Sequence, residues 1–382
     1  MKNIPFGKPM IGDEEREAVS DILSGTTFVH GAITQKFEEF FAKRAGARHG
    51  ISLSSCTAGL HLSLFVNGIS VGDKVVVPAM THVATAHAVE YCGAEPMFVD
   101  VEEDSGNIDP ILLQEMVSDD VKAIMVVHYL GLPCEMDQIN DSASKYGAFV
   151  IEDCALALDA TYDDKKVGTH GLAGCFSFYP VKHMTTLEGG MLTTNDDDLA
   201  HRIRKSKAFG YDRSLGERAK PGIYDVDMLG YNYRMNEVEA AIGLVQLDKL
   251  DTFQQCRSEN FKTLHAELAD VSEITIFNPV KNKARSSHYC LNITLPKDGR
   301  ISRDDFVSVL KSNGIGTSVH YPSAVPLFTY YREKYGYKSG QFPVAEWLAA
   351  QTISLPIGPH LTSQDASFVG QVVKKAVLSS RT

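Results

Sequence analysis

The chain has 382 residues, with 37 Lys and Arg against 48 Asp and Glu, for a formal net charge of −11. That length holds two domains with buried cores, and 44% apolar with 22% charged residues excludes a disordered or fibrous chain. The acidic balance argues against a nucleic-acid partner, and no apolar run approaches the ~20 residues of a membrane-spanning helix. The opening residues Met1 to Pro5 lack a signal-peptide core and soon give way to Asp13, Glu14 and Glu15, and the seven cysteines are scattered without paired spacing. The expectation is a cytoplasmic enzyme with reduced thiols.

From residue 50 to 195, β-branched runs alternate with amphipathic stretches. The strand candidates are His49–Ser54, Lys74–Val77, Met97–Val101, Ala123–Val127, Ala148–Glu152, Cys175–Phe178 and Met191–Thr193. Between them, Thr57–Val66, Val83–Tyr91, Ile111–Val117 and Met136–Tyr146 read as helices. This is the pattern of an α/β fold with a mostly parallel seven-stranded sheet, whose ligands bind beyond the carboxyl ends of the strands. Further along, Asp196–Lys207 and Met235–Lys249 read as helices, with a long Gly- and Tyr-rich loop, Phe209–Asn232, between them. From Asp251 the pattern is that of a smaller α+β unit, with strands at Ile274–Phe277, Tyr289–Leu295 and Thr317–Tyr321, a helix at Arg303–Asn313 closed by Gly314, and a surface loop at Tyr330–Gly340. The division is a large unit over residues 1–250 and a small one over 251–382.

The chemistry concentrates just after the strands. Asp153 closes the apolar strand ending Val150-Ile151-Glu152, where it suits either a helix cap or a ligand-facing carboxylate. Lys182 follows a later strand; alone it reads as a solvated charge. Together, an acid able to pair a pyridinium nitrogen and a lysine able to form a Schiff base are what pyridoxal phosphate (PLP) requires. Ser54-Ser55-Cys56-Thr57-Ala58-Gly59 marks a strand end and helix start, which serves as a plain cap or as a phosphate cradle. Ser177, five positions before Lys182, offers one more hydroxyl. The stretch Gly168–Gly174 does not fit G-x-G-x-x-G and precedes a strand, so it is no dinucleotide loop. No metal-ligand spacing stands out.

With these residues in place, nearly the whole chain resembles the DegT/StrS-type sugar aminotransferases, fold-type I PLP enzymes. The resemblance runs from Ile4-Pro5-Phe6-Gly7-Lys8-Pro9 through Val77-Pro78-Ala79-Met80-Thr81-His82-Val83-Ala84-Thr85, Phe176-Ser177-Phe178-Tyr179 and Glu188-Gly189-Gly190-Met191 to Gly230-Tyr231-Asn232-Tyr233-Arg234-Met235-Asn236 and Ile353-Ser354-Leu355-Pro356. It implies Lys182 as the Schiff-base lysine and Asp153 as partner of the pyridine nitrogen. Cys56 (through its amide), Thr57 and Ser177 would hold the phosphate, with His82 stacked on the ring. Asn232 would reach the phosphate of a neighbouring subunit, making a homodimer the minimal active unit. The lysine separates the chain from related deoxysugar dehydratases, which carry His there; a non-catalytic PLP-binding regulator is the reading from another class.

Three positions depart from the family pattern: Cys56 replaces a usual Gly, Leu156 a usual Gln or His near the ring hydroxyl, and Asp159 a usual Gly. Leucine donates no hydrogen bond. Leu156 and Asp159 resemble most the members that make 8-amino-3,8-dideoxy-manno-octulosonate, a lipopolysaccharide sugar. The resemblance therefore implies glutamate as donor and 8-oxo-3-deoxy-manno-octulosonate as acceptor, with a nucleotide-linked 4-keto-6-deoxysugar as the alternative. Arg213, Arg218, Arg234 and Arg285 are candidates to meet a sugar carboxylate, or else solvated surface charges.

Overall fold

The structure, a computed structural model, describes residues 2–212, 223–297 and 301–379. Its centre is a seven-stranded sheet in the order His49–Leu53, Gly190–Thr194, Ala173–Ser177, Phe149–Asp153, Val121–Val127, Lys74–Pro78, Glu95–Val99. Only Gly190–Thr194 runs against its two neighbours; the other adjacent pairs are parallel. The sheet expected from the alternating pattern is therefore present, with strand ends moved by one or two residues. Period-two alternation distributes its side chains: Val75, Val77 and Ile151 join one core cluster, Val76 and Val150 the cluster on the other face.

Local chemistry sets the helix ends. Asp109 accepts hydrogen bonds from the amides of Ile111 and Leu112 ahead of Pro110–Met116, and Asp196 caps Asp197–Ser206 through the amide of Leu199. Asn236 and Glu239 form a reciprocal capping box at the head of Glu237–Leu268. That helix has 32 residues, about 48 Å, and continues past the expected end at Lys249 because neither Gly nor Pro interrupts residues 251–268. Residue 251, where the sequence places the start of the smaller unit, lies inside it. Leu247, Leu250 and Phe253 pack with Phe37, Phe41 and Phe178, whereas Phe261, Leu264 and Leu268 pack in a separate cluster with Ile4, Leu291, Ile353 and Val373.

A three-stranded antiparallel sheet, Thr275–Ile276, Leu291–Thr294 and Thr352–Leu355, carries that second cluster. The expected strand over Thr317–Tyr321 is reduced to one bridge, Ser318 to Ser354. The expected surface loop Tyr330–Gly340 instead begins as a helix, Thr329–Tyr335. Its Tyr331 is fully buried, meets Phe98 edge-on and bonds His87 Nδ1 at 2.6 Å. The aromatic residues there complete the core of the large sheet. In the Phe209–Asn232 stretch, bridges pair Ala208 with Asn232 and Tyr211 with Val226. Among the described residues no helix is long and apolar enough to cross a membrane.

Candidate active site

At the carboxyl edge of the sheet lies a cavity of about 470 Å³. It is lined by Ser55, Cys56 and Thr57 from a helix start, His82 from the next helix, Asp153 and Ser177 from strand ends, and Lys182. Six of the seven site residues named from sequence thus share one space, at the place where this topology puts ligands.

Asp153 is 5% exposed. Its carboxylate accepts hydrogen bonds from Thr85 Oγ1 at 2.9 Å and from the Ala155 amide at 3.0 Å, with the Cys56 thiol 3.9 Å away. Because Thr85 gives its proton to Asp153, Thr81, 2.8 Å behind, donates to Thr85. Lys182 stands half-buried beyond the turn Tyr179–Lys182, held by its amide bond to the Tyr179 carbonyl. Its Nζ lies 5.5 Å from the centre of the Tyr289 ring. Burial lowers the proton affinity of Lys182, opposed by the nearby Asp153 and Cys56, with a net shift below the usual lysine range.

The helix Cys56–Phe65 begins at Ser55, whose hydroxyl accepts from the Ala58 amide at 3.1 Å. The preceding amides, Cys56 and Thr57, head the helix where no intrahelical partner exists. Gly190 presses the adjacent strand against them: a Cβ there would lie 2.3 Å from the Ser55 carbonyl carbon and 2.4 Å from the Cys56 nitrogen. Burial pushes the Cys56 thiol well above its usual range, so it is neutral, and it contacts the Cys175 carbonyl at 3.3 Å. His82 caps its own helix, Nδ1 accepting from the Ala84 amide at 3.2 Å, and meets the Tyr321 ring edge-on.

Asn232 does not line this cavity. It is exposed, and Arg234 donates to its Oδ1 twice, from Nε at 3.0 Å and Nη2 at 2.8 Å, which leaves the amide NH₂ as its remaining polar group. Neither Arg234 nor Arg285 lines the cavity; Arg285 is exposed and bonds the carbonyls of Asn282 and Ala284. Arg213 and Arg218 lie outside the described residues. Leu156 is in the cavity wall and 2% exposed. Asp159 is away from it, taking a forked pair from Arg44 and a 2.6 Å bond from Lys166 Nζ. Burial would raise its pKa, but those two cations hold it below the usual carboxylate range. Its replacement of Gly therefore belongs to an ion-pair cluster; φ at Asp159 is +67°, a conformation that explains the usual glycine.

Sequence reasoning missed Thr85, Tyr289, His320 and Tyr321. Thr85 was readable, since it follows Thr81 by one helical turn in a segment already singled out. The other three come from distant chain and carry no local signal.

A carboxylate, a buried amine and an open helix start in one cavity fit the ring nitrogen, aldehyde and phosphate of PLP. The comparisons agree. Residues 9–374 match the model of the DegT/DnrJ/EryC1/StrS aminotransferase family. The spore coat polysaccharide biosynthesis protein SpsC of Bacillus subtilis is 36% identical over 98% of this chain and 97% of its own. The PLP form of Spr1654 from Streptococcus pneumoniae superposes with a TM-score of 0.92 at 26% identity, covering 100% of both chains. DesI, solved in the presence of its TDP-sugar product, gives 0.87 at 29% identity over 98% of this chain and 94% of its own. The chain belongs to the DegT/DnrJ/EryC1/StrS family and is a PLP-dependent sugar aminotransferase.

Proposed function

We propose that the protein moves an amino group from glutamate to a nucleotide-linked 4-keto-6-deoxysugar, with Lys182 and Asp153 as its catalytic pair. The observation that carries the pair is their meeting with the Cys56 helix start in one cavity. PLP, when bound, supplies an aldehyde for the amine and a protonated ring that takes up electrons from the broken C–H bond. Asp153, fixed by Thr85 and the Ala155 amide, would hold the proton on the ring nitrogen. The Cys56 and Thr57 amides, with the Thr57 and Ser177 hydroxyls, would hold the phosphate, and His82 would stand against the ring. Lys182 Nζ would be the group that moves the proton of the donor's α-carbon, and burial, opposed by Asp153 and Cys56, lowers its proton affinity below the usual lysine range.

The homodimer reading rests on Asn232. Arg234 occupies its Oδ1, and Asn232 is exposed, so its NH₂ remains as a donor for a phosphate in a partner's cavity. Two observations favour the nucleotide-linked acceptor: DesI was solved with a TDP-sugar product, and no arginine among the described residues lines the cavity to meet a sugar carboxylate. The octulosonate reading, which would place the protein in lipopolysaccharide synthesis, keeps one observation, the apolar Leu156 in the cavity wall. Measuring kcat/KM for both acceptors at one glutamate concentration tests the choice. A preference of about tenfold or more for the nucleotide-linked sugar is expected, since each 1.4 kcal/mol of differential binding is tenfold. Faster turnover of 8-oxo-3-deoxy-manno-octulosonate overturns it.

A further inference from the structure

Behind Lys182, a second and much smaller pocket is closed by the N-terminal stretch Phe6–Met10 on one side and Gly358–His360 on the other. Arg257, from the long helix, reaches into it and is 5% exposed. Its guanidinium donates to the Tyr289 carbonyl at 2.8 Å and the Lys182 carbonyl at 3.4 Å, but its Nε is buried with no partner among the described residues. No carboxylate lines the pocket; besides Arg257 its charged groups are Lys8 and Lys182. A buried guanidinium without a counter-charge is costly, and proteins pair such charges or bind an ion to them. His360 points its own buried, unpartnered Nδ1 at the same spot: a Cβ on Gly358 would lie 2.7 Å from that atom and 3.9 Å from Arg257 Nη2.

We propose that this pocket is a binding site for a small monovalent anion of chloride size, held by Arg257. The free space is about 20 Å³, room for one water-sized occupant and too little for a phosphate. A water would serve the hydrogen bonds but leave the charge of Arg257 uncompensated. An anion supplies both and fixes the residue that bridges the backbones of Lys182 and Tyr289. His360 donates from Nε2 to the Pro5 carbonyl at 2.9 Å, so in the neutral ring Nδ1 carries a lone pair. Anion binding is therefore coupled to protonation of Nδ1: burial first, then Arg257 and Lys8, hold the ring below the usual histidine range against the Pro5 hydrogen bond and Asp365, and an anion beside it would offset that.

The test uses holoenzyme, in which the cofactor's phosphate occupies the cradle at Cys56. Chloride NMR linewidths are measured against protein at constant ionic strength with gluconate, and crystals soaked in bromide are examined for anomalous scattering. Saturable broadening, displaced by bromide and tighter at about pH 6 than at about pH 8, is expected, with a bromide peak beside Arg257 Nε. Gly358→Ala, whose methyl would crowd His360 Nδ1 on the wall of this pocket, and Arg257→Met should each weaken binding at least about tenfold. Should Arg257→Met not fold, the glycine variant decides. No saturable broadening, broadening unchanged in Gly358→Ala, or an ordered water in place of bromide overturns the proposal.

Discussion

Glu152 and Asp153 are neighbours on one strand, yet they face opposite sides of the sheet and live different lives. Glu152 is fully buried and saturated: it accepts from His128 Nε2 at 3.0 Å and from the amides of Gly168, His170 and Gly171 at 2.7 to 2.8 Å. Burial pushes its pKa up, but these donors, His128 foremost, leave it below the usual carboxylate range. His128 is engaged at both nitrogens, Nδ1 accepting from the Cys134 amide at 3.1 Å, so in the nearby His128–Glu152–Cys154 trio both ring atoms are already used. Asp153, by contrast, takes two hydrogen bonds from oxygen and nitrogen donors and opens onto the cavity. The difference teaches that burial of an acid does not mark function. Unused acceptor capacity facing a cavity does.

The largest effect that sharpens this contrast is on turnover. Lys182→Ala removes the base on the Asp153 side of the sheet and should lower transamination by at least about 10⁴-fold with the fold intact, read as single-turnover rates. Mixed with an Asn232→Ala chain, it should regain activity through hybrid sites once subunits exchange; a mixture no better than its parents breaks the shared-site reading. Next comes the pair itself. Asp153→Asn should cost about a hundredfold or more in kcat, while Thr85 still finds an oxygen and stability falls by about 1 kcal/mol. Glu152→Gln puts an NH₂ in place of one carboxylate oxygen, facing either the His170 and Gly171 amides or the Gly168 amide and His128, and should cost about 3 kcal/mol in urea unfolding while sparing kcat in the folded fraction. Equal stability losses would break the comparison.

The last effect is in acid. Burial holds His61 at about 4 and His320 at about 3, below their usual value of 6.5. The unfolded chain binds these protons first, so stability is full above about pH 6.5 and declines as pH falls, by up to about 1.4 kcal/mol per pH unit for each ring. The Glu152 contribution is lost only later, as pH falls through its lowered pKa. Unfolding measured from about pH 7 down to about pH 2 should show the histidine slope in wild type and in Glu152→Gln alike, with the later loss, below the usual carboxylate range, absent from the variant.

Much of this was legible in the sequence because it is local. Strand periodicity placed Asp153 at a sheet edge, and Ser55 to Thr57 read as a helix start. What was not legible depends on distant chain. Nothing around Tyr331 distinguishes a core ring from a surface one until Phe98 and His87 are brought against it. The length of Glu237–Leu268 was hidden because its second half turns its apolar residues toward a different cluster, which blurs the period along the helix. Arg257 sits on that second half and looks like an ordinary helix charge until its contacts with Lys182 and Tyr289 are seen.

The central claim is that Lys182 is the residue that carries the cofactor. Borohydride reduction of the PLP-loaded enzyme, followed by proteolysis and mass spectrometry, tests it most directly. The account predicts a pyridoxyl group on the peptide containing Lys182 and on no other lysine. A label on a different lysine, with Lys182 unmodified, would contradict it.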